Sequence, residues 1–228
     1  MTAWRIENAG ADALIIRFGD TIDPAQVPRI RVATDRLAQG LKGQVKDLVP
    51  SYTTLMVVYD PVQNDFDSLG RKITRLLGQL DERQPQVGRL VEIPVWYDPE
   101  VGPDLERVAA HHQLSIEELI RRHSECEYVV FAIGFAPGFA YMGHAPESIA
   151  TPRLATPRER VPVGSVALAD RQTAVYPIAT PGGWNLLGRT AMILFDRERE
   201  TLCPLAAGDR VRFVPVGRAQ FLEAGGVI

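Results

Sequence analysis

From Tyr128 onward the chain is a succession of short β-rich runs separated by Pro and Gly, and this punctuation constrains the fold more than any other feature. The runs occupy residues 128–135, 163–168, 173–178, 184–188, 191–195 and 210–214. Breaks this frequent leave no room for long helices, and regularly spaced short strands imply a closed or nearly closed β-barrel. Gly208-Asp209 reads as the hairpin turn that enters the last strand.

The first 80 residues follow a different pattern. A strand is expected over 12–18. Asp23-Pro24 then supplies an N-cap and N1 pair for a helix running through Leu41, with Val27, Ile30, Ala33, Leu37 and Leu41 as its apolar stripe. Two short strands follow over 45–50 and 53–59, with Pro50-Ser51 as the turn or break between them. A second helix carries Phe66, Leu69, Ile73, Leu76, Leu77 and Leu80 at helical spacing, with Asn64 or Asp65 as its cap. This βαββα order predicts a small α+β sandwich with an antiparallel sheet on one side and helices on the other. The polar stretch 81–86 has no apolar anchor and contains Pro85, so it marks a boundary between a domain at 1–84 and one at 88–228. The second domain opens with a strand over 90–96 and two short helices. The first begins at Gly102-Pro103-Asp104. The second begins at Ser115, where Ser115 and Glu118 can form a capping box and Leu114 and Leu119 a hydrophobic staple.

A chain of 228 residues buries about 70–75% of the surface its unfolded form exposes, enough for one large core or two small ones. The charge is nearly balanced, 25 basic against 28 acidic residues, with no basic block to neutralise a run of phosphates. Nucleic acid is therefore not an expected partner. Cys126 and Cys203 form no CxxC pair and no secreted disulfide framework, which fits a reducing cytoplasm. No signal-like segment opens the chain and no run of about 18 apolar residues occurs, so a membrane is not expected either. Phosphate loop, nucleophile elbow, HExxH and GxGxxG signatures are absent. The histidines His111, His112, His123 and His144 are scattered without metal-ligand spacing, and no metal is expected.

Chemistry-bearing residues concentrate between Gly134 and Thr190 in three clusters. In 134–141, glycine permits close backbone approach and the rings of Phe135, Phe139 and Tyr141 can form an apolar ligand wall, while composition by itself favours a tight barrel turn packed by Phe135 and Phe139. In 151–165, two Pro-Arg pairs place Arg153 and Arg158 on a stiffened loop suited to a carboxylate or phosphate, each charge-assisted bond being worth about 1.5–3 kcal/mol. Solvated surface arginines are the plainer alternative. Ser165 is a polar contact there, and as a nucleophile it lacks an adjacent base. In 176–190, Tyr176, the Gly182-Gly183 pair, Trp184 and Arg189 suit a ring-shaped ligand, while Trp184 could as well plug a barrel.

Taken in order, GFAPGFAYMG at 134–143, TPRLATPRERVPVGSVALA at 151–169 and YPIATPGGWNLLGRT at 176–190 resemble the 5-oxoprolinase B-subunit family, also called allophanate hydrolase subunit 1. That family also includes a bacterial histidine-kinase inhibitor and a domain of urea carboxylase. Val49-Pro50-Ser51-Tyr52, Asp60-Pro61, Gly102-Pro103-Asp104-Leu105 and His123 extend the resemblance over most of the chain. Tyr97-Asp98-Pro99-Glu100-Val101 departs from the family's Tyr-Gly-Gly, Met142-Gly143-His144 from its Leu-Gly-Gly, and Ala191 from its Pro. The resemblance implies an N-terminal α+β domain followed by a cyclophilin-like antiparallel β-barrel. It implies a cytoplasmic, non-autonomous subunit of a hydrolase acting on a cyclic amide, which with a C-type subunit (allophanate hydrolase subunit 2 type) and an A-type subunit converts 5-oxo-L-proline to L-glutamate. ATP is consumed by the complex, at a site the resemblance does not locate. Two alternatives accompany it: a carboxyltransferase component related to urea carboxylase, with biotin carried on another chain, and a protein inhibitor of a sensor histidine kinase. The expected ligand contacts are Phe135, Pro137, Tyr141, Arg153, Arg158, Ser165, Tyr176, Gly182, Gly183, Trp184 and Arg189.

Overall fold

A computed structural model describes residues 4–78 and 88–228 of the chain, which separates into two units, Met1–Gly88 and Arg89–Ile228. The expected division at 81–86 and the last stripe residue, Leu80, lie outside the described residues.

In the first unit, β1 (Arg5–Asn8), β2 (Ala13–Arg17), α1 (Val27–Gly40), β3 (Val45–Ser51), β4 (Thr54–Tyr59) and α2 (Phe66–Leu77) follow in chain order. The strands lie in the order β1-β2-β4-β3, every pair antiparallel. Alternate residues Leu14 and Ile16 of β2 and Leu55, Val57 and Tyr59 of β4 face the helices. There they meet Ile30, Ala33, Leu37 and Leu41 from the α1 stripe and Leu69, Ile73 and Leu77 from α2, and this cluster is the core of the unit. The expected order lacked β1. Its Arg-Ile-Glu-Asn sequence carries no strand signal of its own; it is held by its ladder to β2 and by Glu7, whose carboxylate accepts two bonds from Arg17 at 3.0 Å. Asp23-Pro24 does not open α1 directly. Asp23 caps a 3-10 turn, Pro24–Gln26, accepting from Ala25 N–H at 2.9 Å, and regular helix starts at Val27. For α2 the cap is Asp65, which accepts from Ser68 N–H at 2.7 Å, while Asn64 donates to the Gln44 carbonyl.

The second unit contains β5 (Leu90–Val95), α3 (Leu105–His111), α4 (Ile116–Ser124), β6 (Tyr128–Ile133), β7 (Ala140–Gly143), β8 (Arg158–Val161), β9 (Ser165–Ala169), β10 (Gln172–Val175), β11 (Thr180–Gly182), β12 (Asn185–Arg189), β13 (Arg210–Pro215) and α5 (Arg218–Glu223). Seven of these strands form the path β5-β13-β6-β7-β10-β9-β12, and β8 pairs with β11 as a separate ribbon. The expectation of a wholly antiparallel sheet is corrected at β5 and β13, which run parallel with Leu90 opposite Arg210. A parallel pair needs a long crossover, and the intervening helices and strands supply it. Among the described residues the ladder does not close. Its two ends meet at one bridge, where Trp96 and Arg189 exchange backbone hydrogen bonds of 2.9 Å in both directions.

No strand forms over 191–195. Met192 N–H turns onto the Thr190 hydroxyl at 3.1 Å just after β12, burying Leu194 and leaving Ile193 exposed without a ladder partner. At α4, Ser115 accepts from Glu118 N–H at 3.1 Å, but the Glu118 carboxylate turns to Arg121 and Arg122 at 2.6–2.8 Å, so only half of the capping box is made.

Strand β9 is buried on both faces. Val166 and Leu168 enter the main core with Ile93, Val95, Tyr128 and Phe213, while Ala167 and Ala169 face a second cluster of Phe139, Tyr176 and Trp184. Alanine on that face leaves room for rings, and the rings make the candidate site.

Candidate functional site

Seven of the eleven expected contacts, Phe135, Tyr141, Arg153, Tyr176, Gly182, Gly183 and Trp184, line one pocket of about 310 Å³, together with Phe139, Leu154, Pro157 and Pro181. The three sequence clusters thus converge on a single concavity.

Phe139 is the hub of its aromatic wall. Its ring stands edge-on to Phe135, Tyr141, Tyr176 and Trp184, with centroids 4.9–5.8 Å apart. This is the arrangement aromatic quadrupoles favour, worth about 0.5–1.5 kcal/mol per pair beyond buried area. Phe135 sits at the rim, 63% exposed, with a φ of 70° that only a constrained backbone imposes on a large side chain. Gly138, at φ 80°, lets the turn press against the Leu194 carbonyl, 2.4 Å from where a Cβ would stand. Across the pocket the Tyr176 hydroxyl passes 2.3 Å from the Cβ position of Gly182, so only glycine fits there. Gly183 is not required sterically; its carbonyl accepts from Leu154 N–H at 2.7 Å and fixes the Arg153 loop. Burial raises the Tyr176 phenol above its ordinary pKa, which keeps it protonated.

The electrostatics separate the three arginines. Arg153 is the one charged residue among those lining the pocket. Its guanidinium lies 5.7 Å from the Trp184 ring centroid, and no carboxylate among the described residues pairs with it. Arg158 leaves the lining and is neutralised: its Nη2 donates to Asp104 at 2.8–2.9 Å, and the Asp104 carboxylate, 5% exposed, also accepts from Leu186 N–H at 2.7 Å. The segment expected as a stiffened loop is there a strand, β8 against β11, with Arg158 opposite Gly182. Arg189 also lies outside the lining, where its Nη1 donates to the Val227 carbonyl at 2.8 Å and burial lowers its pKa. Ser165 is fully buried, and its hydroxyl has no partner among the described residues, hence no base. Pro137 is exposed in the turn ahead of Gly138 and does not line the pocket.

Phe139, Leu154, Pro157 and Pro181 line the pocket without having been singled out as ligand contacts, although all four stand inside the three clusters. Asp104, expected to open a helix and one of the residues carrying the family resemblance, makes no cap bond and serves as the tie for Arg158 and Leu186. Among the described residues no group of three or more His, Cys, Asp or Glu is placed to hold a metal, and no helix is long and apolar enough to cross a membrane. His123 is fully buried behind the site. The Thr173 hydroxyl donates to the Ala167 carbonyl at 3.0 Å, so it accepts from His123 Nε2–H at 2.9 Å, which leaves Nδ1 to accept from the Tyr97 hydroxyl at 2.7 Å.

A family profile described as carboxyltransferase domain, subdomain C and D, matches residues 4–205. The protein named as the B subunit of 5-oxoprolinase in Bacillus subtilis (strain 168) is 39% identical over 228 residues, covering 96% of this chain and 95% of the relative. The crystal structure of TTHA0988 superposes with a TM-score of 0.80 at 36% identity, over 90% of this chain and 40% of that one, so this chain spans less than half of TTHA0988. Urea carboxylase from Kluyveromyces lactis superposes at 0.74 over 96% of this chain and 22% of its own, but at 14% identity this is a likeness of fold alone. With the three motif clusters folded into one pocket and 39% identity to a relative that is matched over nearly its whole length, the chain belongs to the 5-oxoprolinase B-subunit family.

Proposed function

We propose that this chain is the B-type component of an ATP-dependent 5-oxoprolinase, which acts with a C-type and an A-type subunit to open 5-oxo-L-proline to L-glutamate. The observation that carries the reading is the identity to a protein named as the 5-oxoprolinase B component over nearly the full length of both chains. The pocket adds a chemical rationale. Its aromatic wall suits a small ring, and Arg153, without a carboxylate partner, offers two parallel N–H donors to the ligand's carboxylate.

Arg153 is the single charged residue lining the pocket, which supports a small ligand with one negative charge there. This chain's part in the ATP-dependent reaction is read as binding and orienting the lactam. The second unit is read as a cyclophilin-like barrel whose ends approach at the Trp96–Arg189 bridge.

The family profile's description favours a second reading, a carboxyltransferase component that accepts a carboxyl group from biotin on another chain. The two separate in one experiment: coexpression with C-type and A-type subunits, followed by ATP turnover with and without 5-oxo-L-proline. Stimulated turnover supports the oxoprolinase. A stable complex without it, but with biotin-dependent carboxyl transfer, supports the alternative. Arg153→Ala raises the KM for 5-oxo-L-proline about ten- to a hundredfold if its bond to the carboxylate is worth about 1.5–3 kcal/mol.

A further inference from the structure

We infer that Asn185 is the positioning residue that sets Arg153 over Trp184, a role that rests on Arg153 being the anion contact proposed above. Asn185 opens β12 and is fully buried. Its side chain links the Arg153 loop to β9 and α3. Its Nδ2 donates to the Pro152 carbonyl at 3.0 Å, one residue before Arg153, and to the Leu168 carbonyl of β9 at 2.9 Å. Its Oδ1 accepts from Arg107 Nη2, and Arg107 Nε lies 3.6 Å from the Asp104 carboxylate that also holds Arg158. One side chain therefore clamps the loop to the sheet and is itself held by α3.

The loop has anchors on both sides of Pro152. Thr151 pairs with Asp170, whose N–H donates to the Thr151 carbonyl at 2.7 Å, and Leu154 is fixed to Gly183. Between them Pro152 cannot donate, so its carbonyl is its one backbone handle, and Asn185 takes it. Among the described residues no carboxylate pairs with the Arg153 side chain to hold it in place. Its position over the ring therefore depends on the backbone beneath it, and a shift of about 1 Å at such a contact can cost up to about a hundredfold in rate or affinity.

The test is a double-mutant cycle in the reconstituted complex, reading KM and kcat for 5-oxo-L-proline together with the urea unfolding midpoint of each variant. Asn185→Ala is expected to raise KM about tenfold with kcat within about twofold. In an Arg153→Ala background the same change is expected to add nothing to KM while still lowering the unfolding midpoint. Asn185→Leu, of similar volume, removes the same bonds without leaving a cavity or adding a charge; it is expected to reproduce the KM effect should the alanine variant fold poorly. If Asn185 substitutions raise KM equally with and without Arg153, or leave it unchanged while Arg153→Ala raises it, the positioning role is wrong and the pocket reading stands. A KM indifferent to Arg153→Ala removes the pocket reading itself, and the role of Asn185 with it.

Discussion

Acidification should destabilise the second unit through one buried side chain. His123 is fully buried, stacked on Phe213 at 4.7 Å, and hydrogen-bonded as a neutral ring between Tyr97 and Thr173. Burial without a negative partner lowers its pKa to about 3, against 6.5 in the unfolded chain. The folded state thus binds fewer protons than the unfolded state between these values. His123's contribution is full above pH 6.5 and is lost as pH falls toward 3, by about 1.4 kcal/mol per unit. At pH 5 the loss is about 2 kcal/mol, a fall of roughly 4–8 °C in Tm for a chain of this size. Carboxylates titrate in the same range; Glu7 and Glu118, each held at about 2 by neighbouring arginines, respond lower down. The clean measurement is therefore the difference between the wild-type chain and His123→Gln, which reaches similar partners and does not titrate. Urea midpoints from pH 7.5 to 4.5 should show a steeper acid slope for the wild type. Equal slopes, or a His123 ring resonance titrating near 6.5 in the folded protein, would refute the reasoning.

Three further outcomes follow from the same geometry, each read from urea unfolding at neutral pH. Asp104→Ala strands the Arg158 guanidinium and the Leu186 N–H together and should cost about 3–5 kcal/mol, whereas a loss under about 1 kcal/mol would mean that the tie is not formed. Ser165→Ala removes a buried hydroxyl that has no partner among the described residues, so stability should stay level or rise by about 1 kcal/mol; a clear fall would reveal a bond to that hydroxyl. Gly164→Ala places a Cβ 2.2 Å from the Thr190 carbonyl at a φ of 77° and should cost about 2 kcal/mol or more, while a neutral result would show that the β9–β12 end can relax.

What could be read from the chain alone was whatever depends on neighbours a few residues away. The stripes of α1 and α2, the Asp65 and Ser115 caps and most strands of the second unit are local, because helical and strand periods and cap geometry act over three or four residues. The clusters at 134–141, 151–165 and 176–190 were legible as ring and Arg chemistry, though not as one concavity. The fate of each arginine was decided by distant partners. Arg158 and Arg153 sit in near-identical Thr-Pro-Arg and Leu-Ala-Thr-Pro-Arg settings, yet one is neutralised by Asp104, 54 positions away in sequence, and the other is left open to the pocket. The same holds for β1, which pairs only because β2 offers an edge, for 191–195, whose strand-like composition found no ladder, and for the parallel β5–β13 pair. Composition states which side chains can bind an anion or extend a sheet. Which of them does so is set by which partners the fold brings within about 3 Å, because hydrogen bonds and ion pairs act at contact range and carry no trace in the local sequence.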